Sequence, residues 1–161
     1  MPRQTARAKT NDPVFHLRRF FPYRISRFYA AVSKSLAHRY RDELGLSVPE
    51  WRTLAVLGSE GGKSASQVGM DTDMDKVQVS RAVTRLKQKG MISRDTDPQD
   101  RRRSVLNLTE KGWEAYNKVV PRALAYEQEV LEVLSPEEER EFWRLVEKLQ
   151  SRAQELKKNK A

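Results

Sequence analysis

The sequence predicts a mainly α-helical fold that contains one small β-hairpin. Apolar residues recur three or four positions apart through long stretches of the chain, which is the spacing of one buried helix face. Two strand-length segments, 92–96 and 104–108, flank the turn-forming sequence Asp97-Pro98-Gln99-Asp100. We therefore expect a series of helices that is interrupted once by a pair of short strands.

The length and composition are those of a folded protein with its own core. The 161 residues suit a single structural domain, and 38% hydrophobic with 33% charged residues argues against a disordered chain. No apolar run approaches the roughly 20 residues that cross a bilayer, and the N-terminus lacks the apolar segment of a secretory signal. We expect a cytoplasmic protein.

Charge is distributed unevenly along the chain, which has a formal net charge of +9. Residues 1–41 hold ten lysines and arginines against one acid, and residues 76–103 hold nine against three. Residues 127–155 instead hold nine acids and four bases. The two basic segments favour a polyanion as partner, whereas solvation alone is enough to explain the acidic one.

Several kinds of site are disfavoured by the composition. The chain has no cysteine, which excludes disulfides and thiolate chemistry, and its two histidines make a His-rich metal site an unattractive hypothesis. Asp71, Asp73 and Asp75 resemble part of a calcium loop but lack its glycine and closing glutamate, so we interpret them as turn and helix-start residues. We predict neither a metal nor a cofactor.

The first helical region follows a polar, basic segment, 1–11, which we expect to be a disordered tail. Asp12 and Pro13 have the form of a helix start. Pro22 lies inside the apolar stripe, so either the helix is kinked there or a short helix precedes a long one that ends near 43–45. The stripe consists of Leu17, Phe21, Ile25, Phe28, Val32 and Leu36.

Capping motifs mark the starts of the next two helices. Ser47-Val48-Pro49-Glu50 fits the capping box of one helix, and Ser64-Ala65-Ser66-Gln67 fits that of the other. We expect Gly58 and Gly61-Gly62 to end the first of them. Its apolar positions are Trp51, Leu54, Ala55 and Leu57.

The helix that starts within 73–75 and ends at Gly90 has two contrasting faces. Val79, Val83 and Leu86 fall at i, i+4 and i+7, so we expect them to be buried. The other face is polar and cationic, which suits the DNA major groove, where such side chains read base edges. It carries Lys76, Gln78, Ser80, Arg81, Thr84, Arg85 and Lys87.

Two long helices are expected after the strands. Thr109 to Gly112 opens the first, with Pro121 as a second candidate for a kink, and Ser135-Pro136-Glu137-Glu138 opens the last. The terminal helical regions carry more apolar surface than a small domain needs, which indicates a dimer interface; closure on the middle of the same chain is the alternative. Their apolar residues are Tyr116, Val119, Val120, Leu124, Phe142, Leu145, Val146 and Leu149.

This order of elements resembles the MarR family of winged helix-turn-helix transcriptional regulators. The most specific match is Asp100-x-Arg102, five residues, then Leu108-Thr109-Glu110-Lys111-Gly112, which is similar to the family's D-x-R-x5-L-T element followed by E-K-G. Residues 46–54, Met74-Asp75-Lys76 and Val79-Ser80-Arg81 support it. The resemblance covers residues 46–112 specifically.

The resemblance implies a winged helix-turn-helix core, 46–112, flanked by dimerisation helices in 12–45 and 113–161, all within one structural domain. It also implies a homodimer that binds a near-palindromic operator in double-stranded DNA. Major-groove contacts fall to Lys76, Gln78, Ser80, Arg81, Thr84 and Arg85, phosphate contacts to Ser64, Ser66 and Gln67, and minor-groove contacts to Arg102 with Arg101 and Arg103 beside it. Val77-Gln78 replaces the Ser-Thr of many relatives, which leaves the base preference open.

Similar proteins commonly bind small aromatic acids or phenolics in a cleft between the dimer helices and the winged domain, and the resemblance implies such a site here. Arginines beside aromatic rings suit a planar anion such as a benzoate, a hydroxynicotinate or a phenolic acid. Aromatic residues at helical spacing also form cores, so a purely structural role is the alternative. The candidate lining is His16, Arg19, Phe20, Tyr23, Arg24, Trp51 and Arg52.

We therefore predict a transcriptional repressor that such a ligand releases from DNA. The alternative is an architectural DNA-binding protein without an effector, which the overall charge and the basic tail would suit. We do not expect an enzyme, because no Ser/His/Asp set, metal quartet or phosphate loop is recognisable. Gly61-Gly62-Lys63-Ser64 lacks the earlier glycine of a phosphate loop, since position 57 is Leu57.

Overall fold

The computed structural model describes residues 14–96 and 104–159. Within these ranges the chain is mainly helical, with one small antiparallel hairpin, as the sequence predicts. The basic tail 1–11, the Asp12-Pro13 helix start and Arg101 to Arg103 lie outside the described residues. The elements are a 3₁₀ turn at Leu17–Arg19, α1 at Phe21–Leu44, α2 at Val48–Glu60, α3 at Ala65–Thr72, α4 at Lys76–Gln88, β1 at Ile92–Thr96, β2 at Ser104–Leu108, α5 at Glu110–Leu131 and α6 at Pro136–Lys158.

The chain divides into two compact units, Met1–Ser35 and Leu36–Ala161, at a point within α1. In the first unit, the 3₁₀ turn precedes α1, and Pro22 is the second residue of that helix. A proline there removes no helical hydrogen bond, because the first N–H groups of a helix have no partner within it. Of the two alternatives for Pro22, the structure therefore has a short turn followed by a long helix.

The second unit has one hydrophobic core, formed between α2, α3, α4, the hairpin and α5. Leu54, Leu57, Leu86, Leu106 and Val119 are at most 1% exposed. The predicted face of α4 is buried as expected, since Val79 and Val83 lie in the same core. The part of α1 within this unit contributes Ala37 and Tyr40.

Side-chain caps start most of these helices where the sequence places them. Ser47, Ser64 and Ser135 each accept a hydrogen bond from the backbone N–H three residues on, and the side chain at that position bonds back to the serine N–H. Asp75 does the same for α4, which locates the helix start within the predicted window 73–75. These caps pair N–H groups that a helix leaves without partners at its first turn.

Gly58 does not end α2, contrary to expectation. The helix continues to Glu60, and Gly61 caps it with φ of 24°. A Cβ on Gly58 would lie 2.3 Å from the Tyr116 Cε2 atom. The glycine therefore allows α5 to approach α2 closely, which no local pattern could indicate.

The hairpin has the strands that the sequence predicts and is fastened to the loop between α2 and α3. Its register pairs Ile92 with Leu108 and Thr96 with Ser104. The Leu106 N–H donates to the Lys63 carbonyl at 2.8 Å, which adds a bridge at the edge of β2. Together, α3, α4 and this hairpin form a winged helix-turn-helix unit.

In contrast to the other long helices, α6 has no buried residue. Leu145, Leu149 and Leu156 are all exposed on it. In the described ranges, the helices are all too short or too polar to span a bilayer. The same ranges contain no group of three or more His, Asp or Glu side chains arranged to hold a metal ion.

Candidate nucleic-acid interface

The exposed face of α4 brings together the side chains that the sequence assigns to base reading. Leu86 and its buried neighbours hold one side of α4 against the core. The opposite side faces solvent along the whole length of the helix. The exposed residues there include Lys76, Gln78, Ser80, Arg81, Thr84, Arg85 and Lys87. The structure thus presents a mostly polar, cationic surface of the kind that fits a major groove.

The cap at the start of α4 constrains one of these side chains. Asp75 Oδ1 accepts from the Gln78 N–H at 2.8 Å, and Gln78 Oε1 accepts from the Asp75 N–H at 3.3 Å. Because the carbonyl end of Gln78 is engaged, a contact with a base would come from its amide nitrogen. Lys76 is the first residue of α4, where the helix dipole disfavours a positive charge.

The predicted phosphate contacts lie at the start of α3. Ser66 and Gln67 are exposed, and Ser64 is half-buried. The Ser64 hydroxyl donates to Gln67 Oε1 at 2.9 Å and accepts from the Gln67 N–H at 3.3 Å. Both side chains therefore also serve as the cap of α3.

Lys63 fastens α3 to the end of α2, a role that sequence reasoning missed. Its Nζ atom lies 2.5 Å from Asp71 Oδ2 and 2.6 Å from Glu60 Oε2. The hydrogen bonds to Asp71 and Glu60 raise the pKa of Lys63 above its ordinary value. Asp71 thus forms an ion pair within the helix-turn-helix unit.

A buried carboxylate fixes the C-terminal end of α4. Glu50 is 2% exposed, and its Oε1 atom accepts from Lys89 Nζ at 2.7 Å. Its Oε2 atom accepts from the Ser47 N–H at 2.7 Å and from the Ser47 hydroxyl at 2.5 Å. Lys89 Nζ also donates to the Gly45 carbonyl at 2.7 Å. The end of α4 is therefore tied to the loop before α2.

This tie leaves Glu50 charged inside the protein. Burial raises the pKa of Glu50, but the hydrogen bonds from Lys89 and Ser47 outweigh that effect, and the pKa lies below its ordinary value. The capping pattern revealed the role of Glu50 in starting α2. Its partner Lys89 is 39 residues away and could be found only from the fold.

Polar contacts also stiffen the stem of the hairpin. Asp95 Oδ2 accepts from the Ser93 hydroxyl at 2.8 Å and from Asn107 Nδ2 at 3.2 Å. These hydrogen bonds, that from Ser93 first, lower the pKa of Asp95. Asn107 Oδ1 also accepts from the Gly62 N–H at 2.8 Å, which links the stem to the loop before α3. The role of Arg101, Arg102 and Arg103 stays a prediction, since they lie outside the described part of the hairpin.

The predicted ligand-binding residues are divided between the two units. In the first, His16 O accepts from the Arg19 N–H at 2.9 Å, and the Phe20 ring packs edge-on against Phe15 at 5.2 Å. Tyr23 is half-buried and Arg24 is exposed. In the second, the half-buried Trp51 ring lies 5.9 Å from that of Tyr40, and Arg52 Nη1 donates to Thr72 O at 3.4 Å. A common site for these side chains stays a prediction.

An open groove of about 580 Å³ lies elsewhere, between the end of α5 and the first turns of α6. Leu131, Leu134 and Trp143 form the apolar part of its lining, beside three glutamates. Carboxylates repel an organic anion, so this groove is unsuited to the predicted class of ligand. The glutamates are Glu127, Glu132 and Glu139.

Comparison with known proteins gives consistent results. A family model described as "MarR family" matches residues 44–103. The chain is 29% identical over 114 residues to the HTH-type transcriptional regulator MhqR of Bacillus subtilis (strain 168), covering 71% of this chain and 78% of that protein.

Two solved structures share the fold, and both are 26% identical in sequence to this chain. A MarR/EmrR family transcriptional regulator from Acinetobacter sp. ADP1 matches with a TM-score of 0.80 and 26% identity, covering 88% of this chain and 99% of the other. A MarR family transcriptional regulator from Silicibacter pomeroyi matches with a TM-score of 0.71 and 26% identity, covering 85% of this chain and 92% of the other.

These similar proteins are transcriptional regulators and not enzymes, which agrees with the expectation from the motifs. The family model covers the helix-turn-helix and the first strand of the hairpin and ends before β2, so it includes most of the segment 46–112 on which the resemblance in the sequence rests. Taken with the winged helix-turn-helix architecture, these matches show that the chain is similar in both sequence and fold to transcriptional regulators of the MarR family.

Proposed function

We propose that this protein is a homodimeric, sequence-specific repressor that a small aromatic acid or phenolic compound releases from its operator. The observation that carries the proposal is the exposed cationic face of α4, held rigidly because the opposite face is part of the core. The proposal places the protein in the cytoplasm with its DNA. Binding to an operator that overlaps a promoter would exclude the polymerase, which gives repression.

The DNA-binding step uses both ends of the helix-turn-helix unit. The N-terminal residues of a recognition helix contact base edges, and Lys76, Gln78 and Arg81 lie in the first half of α4. A nearby phosphate would offset the unfavourable position of Lys76 at the helix N-terminus. Ser64, Ser66 and Gln67 would bind phosphates, and Arg102 would enter the minor groove with Arg101 and Arg103 beside it.

The dimer is proposed from the apolar side chains that both units leave in solvent. Phe21, Ile25 and Phe28 are about half exposed on the first part of α1, and Leu145 and Leu149 are similarly exposed on α6. Apolar surface of this extent commonly marks an association site. A two-fold dimer would carry two α4 helices to half-sites roughly 34 Å apart, one turn of the duplex.

Release by a ligand follows if binding changes the separation of the two α4 helices. The two half-sites act as linked binding events, so a change in separation lowers the affinity of the whole dimer. We propose an aromatic anion because the first unit combines arginines with exposed aromatic rings, including Arg19 and Phe20.

Replacing Arg81 by alanine is expected to weaken operator binding about tenfold or more, because the side chain is placed to contact a base. The measurement is a titration of a promoter fragment at several salt concentrations, with Arg102→Ala beside it. Lys118→Ala is the control, since Lys118 is exposed on α5 and has the same charge. If both arginine variants bind as tightly as the parent, the assignment of this interface is wrong.

The same titration distinguishes a regulator from an architectural protein. A sequence-specific dimer should prefer its operator over random duplex by more than about a hundredfold at physiological salt. A ratio near one would favour the architectural alternative. In vitro transcription from the promoter then gives the sign of regulation.

Replacing Leu149 by glutamate is expected to produce monomers, because it places a charge on the proposed apolar interface. Sedimentation measures the change, and operator affinity should fall with it. Gln150→Glu is the matched control, since it adds the same charge at the adjacent exposed position of α6. A Leu149→Glu protein that sediments as the parent does would remove this helix from the interface.

A thermal-shift screen with benzoates, hydroxynicotinates, phenolic acids and urate tests the ligand. A compound that binds the native protein must raise its melting temperature by mass action. The effect should be lost in an Arg19→Ala variant. A panel without any shift would argue against an aromatic effector while leaving DNA binding untouched.

A further inference from the structure

We propose that Val77 reads the C5-methyl group of a thymine in each half-site of the operator. This inference rests on the proposed DNA-binding function and adds a residue that determines which bases are preferred. Val77 is the second residue of α4 and is 57% exposed. Val77 is not among the polar residues of α4 that the sequence assigns to DNA contacts, and it takes no part in capping the helix.

Helix geometry puts Val77 at the centre of the exposed face. Leu86 follows nine residues later, and at about 100° per residue this places it on the opposite side of α4. Leu86 is 0% exposed and lies in the core. Arg81 and Thr84 follow Val77 at i+4 and i+7, so they share its stripe. A molecule that binds this face of α4 would therefore contact Val77 as well as the polar side chains around it.

Val77 is also chemically unlike its surroundings. All the other exposed residues of α4, a helix that the structure describes completely, are polar or charged. A β-branched residue has no advantage for helix formation at an exposed position. The apolar group is therefore unexplained by the folding of α4.

The proposed occupant follows from the chemistry of both partners. Lys76 and Arg81 on the same surface favour a polyanion, and the first turns of a recognition helix are the part that reaches base edges. The only apolar group on the major-groove edges of the four standard bases is the thymine methyl. A protein partner would require a larger apolar patch than one side chain among polar ones. A thymine methyl is the size that one valine can cover.

The test combines selection of an operator with removal of single methyl groups. Wild-type protein first selects its preferred duplex from a random pool, and each thymine is then replaced in turn by deoxyuridine, which lacks only the methyl. We expect one thymine in each half-site at which this replacement weakens wild-type binding about fourfold, the value of one buried methyl-sized group. Replacement in both half-sites should weaken binding more than tenfold.

The second half of the test changes the protein instead of the DNA, by the substitution Val77→Ala. Because both subunits of the dimer carry the change, this variant should bind the thymine operator more than about tenfold more weakly than wild type and should not respond to deoxyuridine at the same positions. Val77→Thr keeps one methyl group and should retain part of the response. Arg81→Ala should bind weakly yet keep the full response to deoxyuridine, which separates loss of affinity from loss of methyl reading.

Two controls keep the outcomes distinct. Val133→Ser removes another exposed apolar side chain, outside α4, and should leave every affinity unchanged. Circular dichroism should show the same helix content for all variants. If wild type and Val77→Ala respond identically to every deoxyuridine, this inference is wrong and DNA recognition stands. If wild-type protein selects no sequence, the proposed function fails and this inference fails with it.

Discussion

Replacing Gly112 by alanine is expected to lower the free energy of unfolding by about 3 kcal/mol, the upper range for overpacking. In an ordinary helix the same change is stabilising by roughly 1 kcal/mol. Here the new Cβ would lie 2.0 Å from the Met91 carbonyl oxygen, which is backbone and cannot rotate away. That oxygen also accepts from the Thr109 N–H at 3.1 Å. The substitution would therefore push α5 away from the base of the hairpin.

Denaturant unfolding followed by circular dichroism measures this effect. Lys111→Ala is the matched control, because Lys111 is the adjacent exposed residue and its loss should change stability by less than about 0.5 kcal/mol. Gly58→Ala should cost less than Gly112→Ala, since the three atoms nearest to its Cβ belong to the Tyr116 side chain, which can move, and not to backbone. Equal stability of Gly112→Ala and wild type would show that α5 is not packed this closely.

Replacing Lys89 by methionine is expected to cost about 2–3 kcal/mol at neutral pH. Breaking a fully buried ion pair typically costs about 3–5 kcal/mol because the remaining charge has no partner. We reduce that figure because the Lys89 side chain is 32% exposed, whereas Glu50 is 3% exposed. Removing the other partner of the pair by Glu50→Gln should lower the stability less, since the remaining lysine can reach water.

The pH dependence of this loss has a definite sign. The pKa of Glu50 is lowered in the folded protein, so its stabilising effect is fully present above the ordinary pKa of 4.5 and is lost as the pH falls through the folded value. Stability curves of wild type and Lys89→Met should therefore converge in acid. The double variant Glu50→Gln/Lys89→Met should be more stable than Lys89→Met alone at pH 7. Curves that stay parallel down to acid pH would contradict the pairing.

Both residues support the same functional surface. Lys89 follows the last residue of α4, and Gly112 packs against the backbone that leads from α4 into β1. Each substitution should thus weaken operator binding because it displaces α4 or the hairpin. Neither substitution removes a group that is proposed to touch DNA.

Local signals were sufficient for most of the secondary structure. The caps at Ser47, Ser64 and Ser135 and the strands 92–96 and 104–108 depend on residues within a few positions of each other, so a sequence read alone could find them. The two faces of α4 were predictable for the same reason, because the 3.6-residue period fixes which side chains share a side. The sequence also carried the resemblance that the family match confirms.

The tertiary structure decided what depends on contacts between distant parts of the chain. It showed that Gly58 lies inside α2 because α5 packs against it, and that Glu50 pairs with Lys89. It also singled out Val77 as the centre of an exposed face, since exposure depends on what the other side of α4 packs against. Periodicity and capping act over one or two helical turns and show which side chains share a helix face, whereas the packing of distant elements and the pairing of distant charges are set by the whole fold.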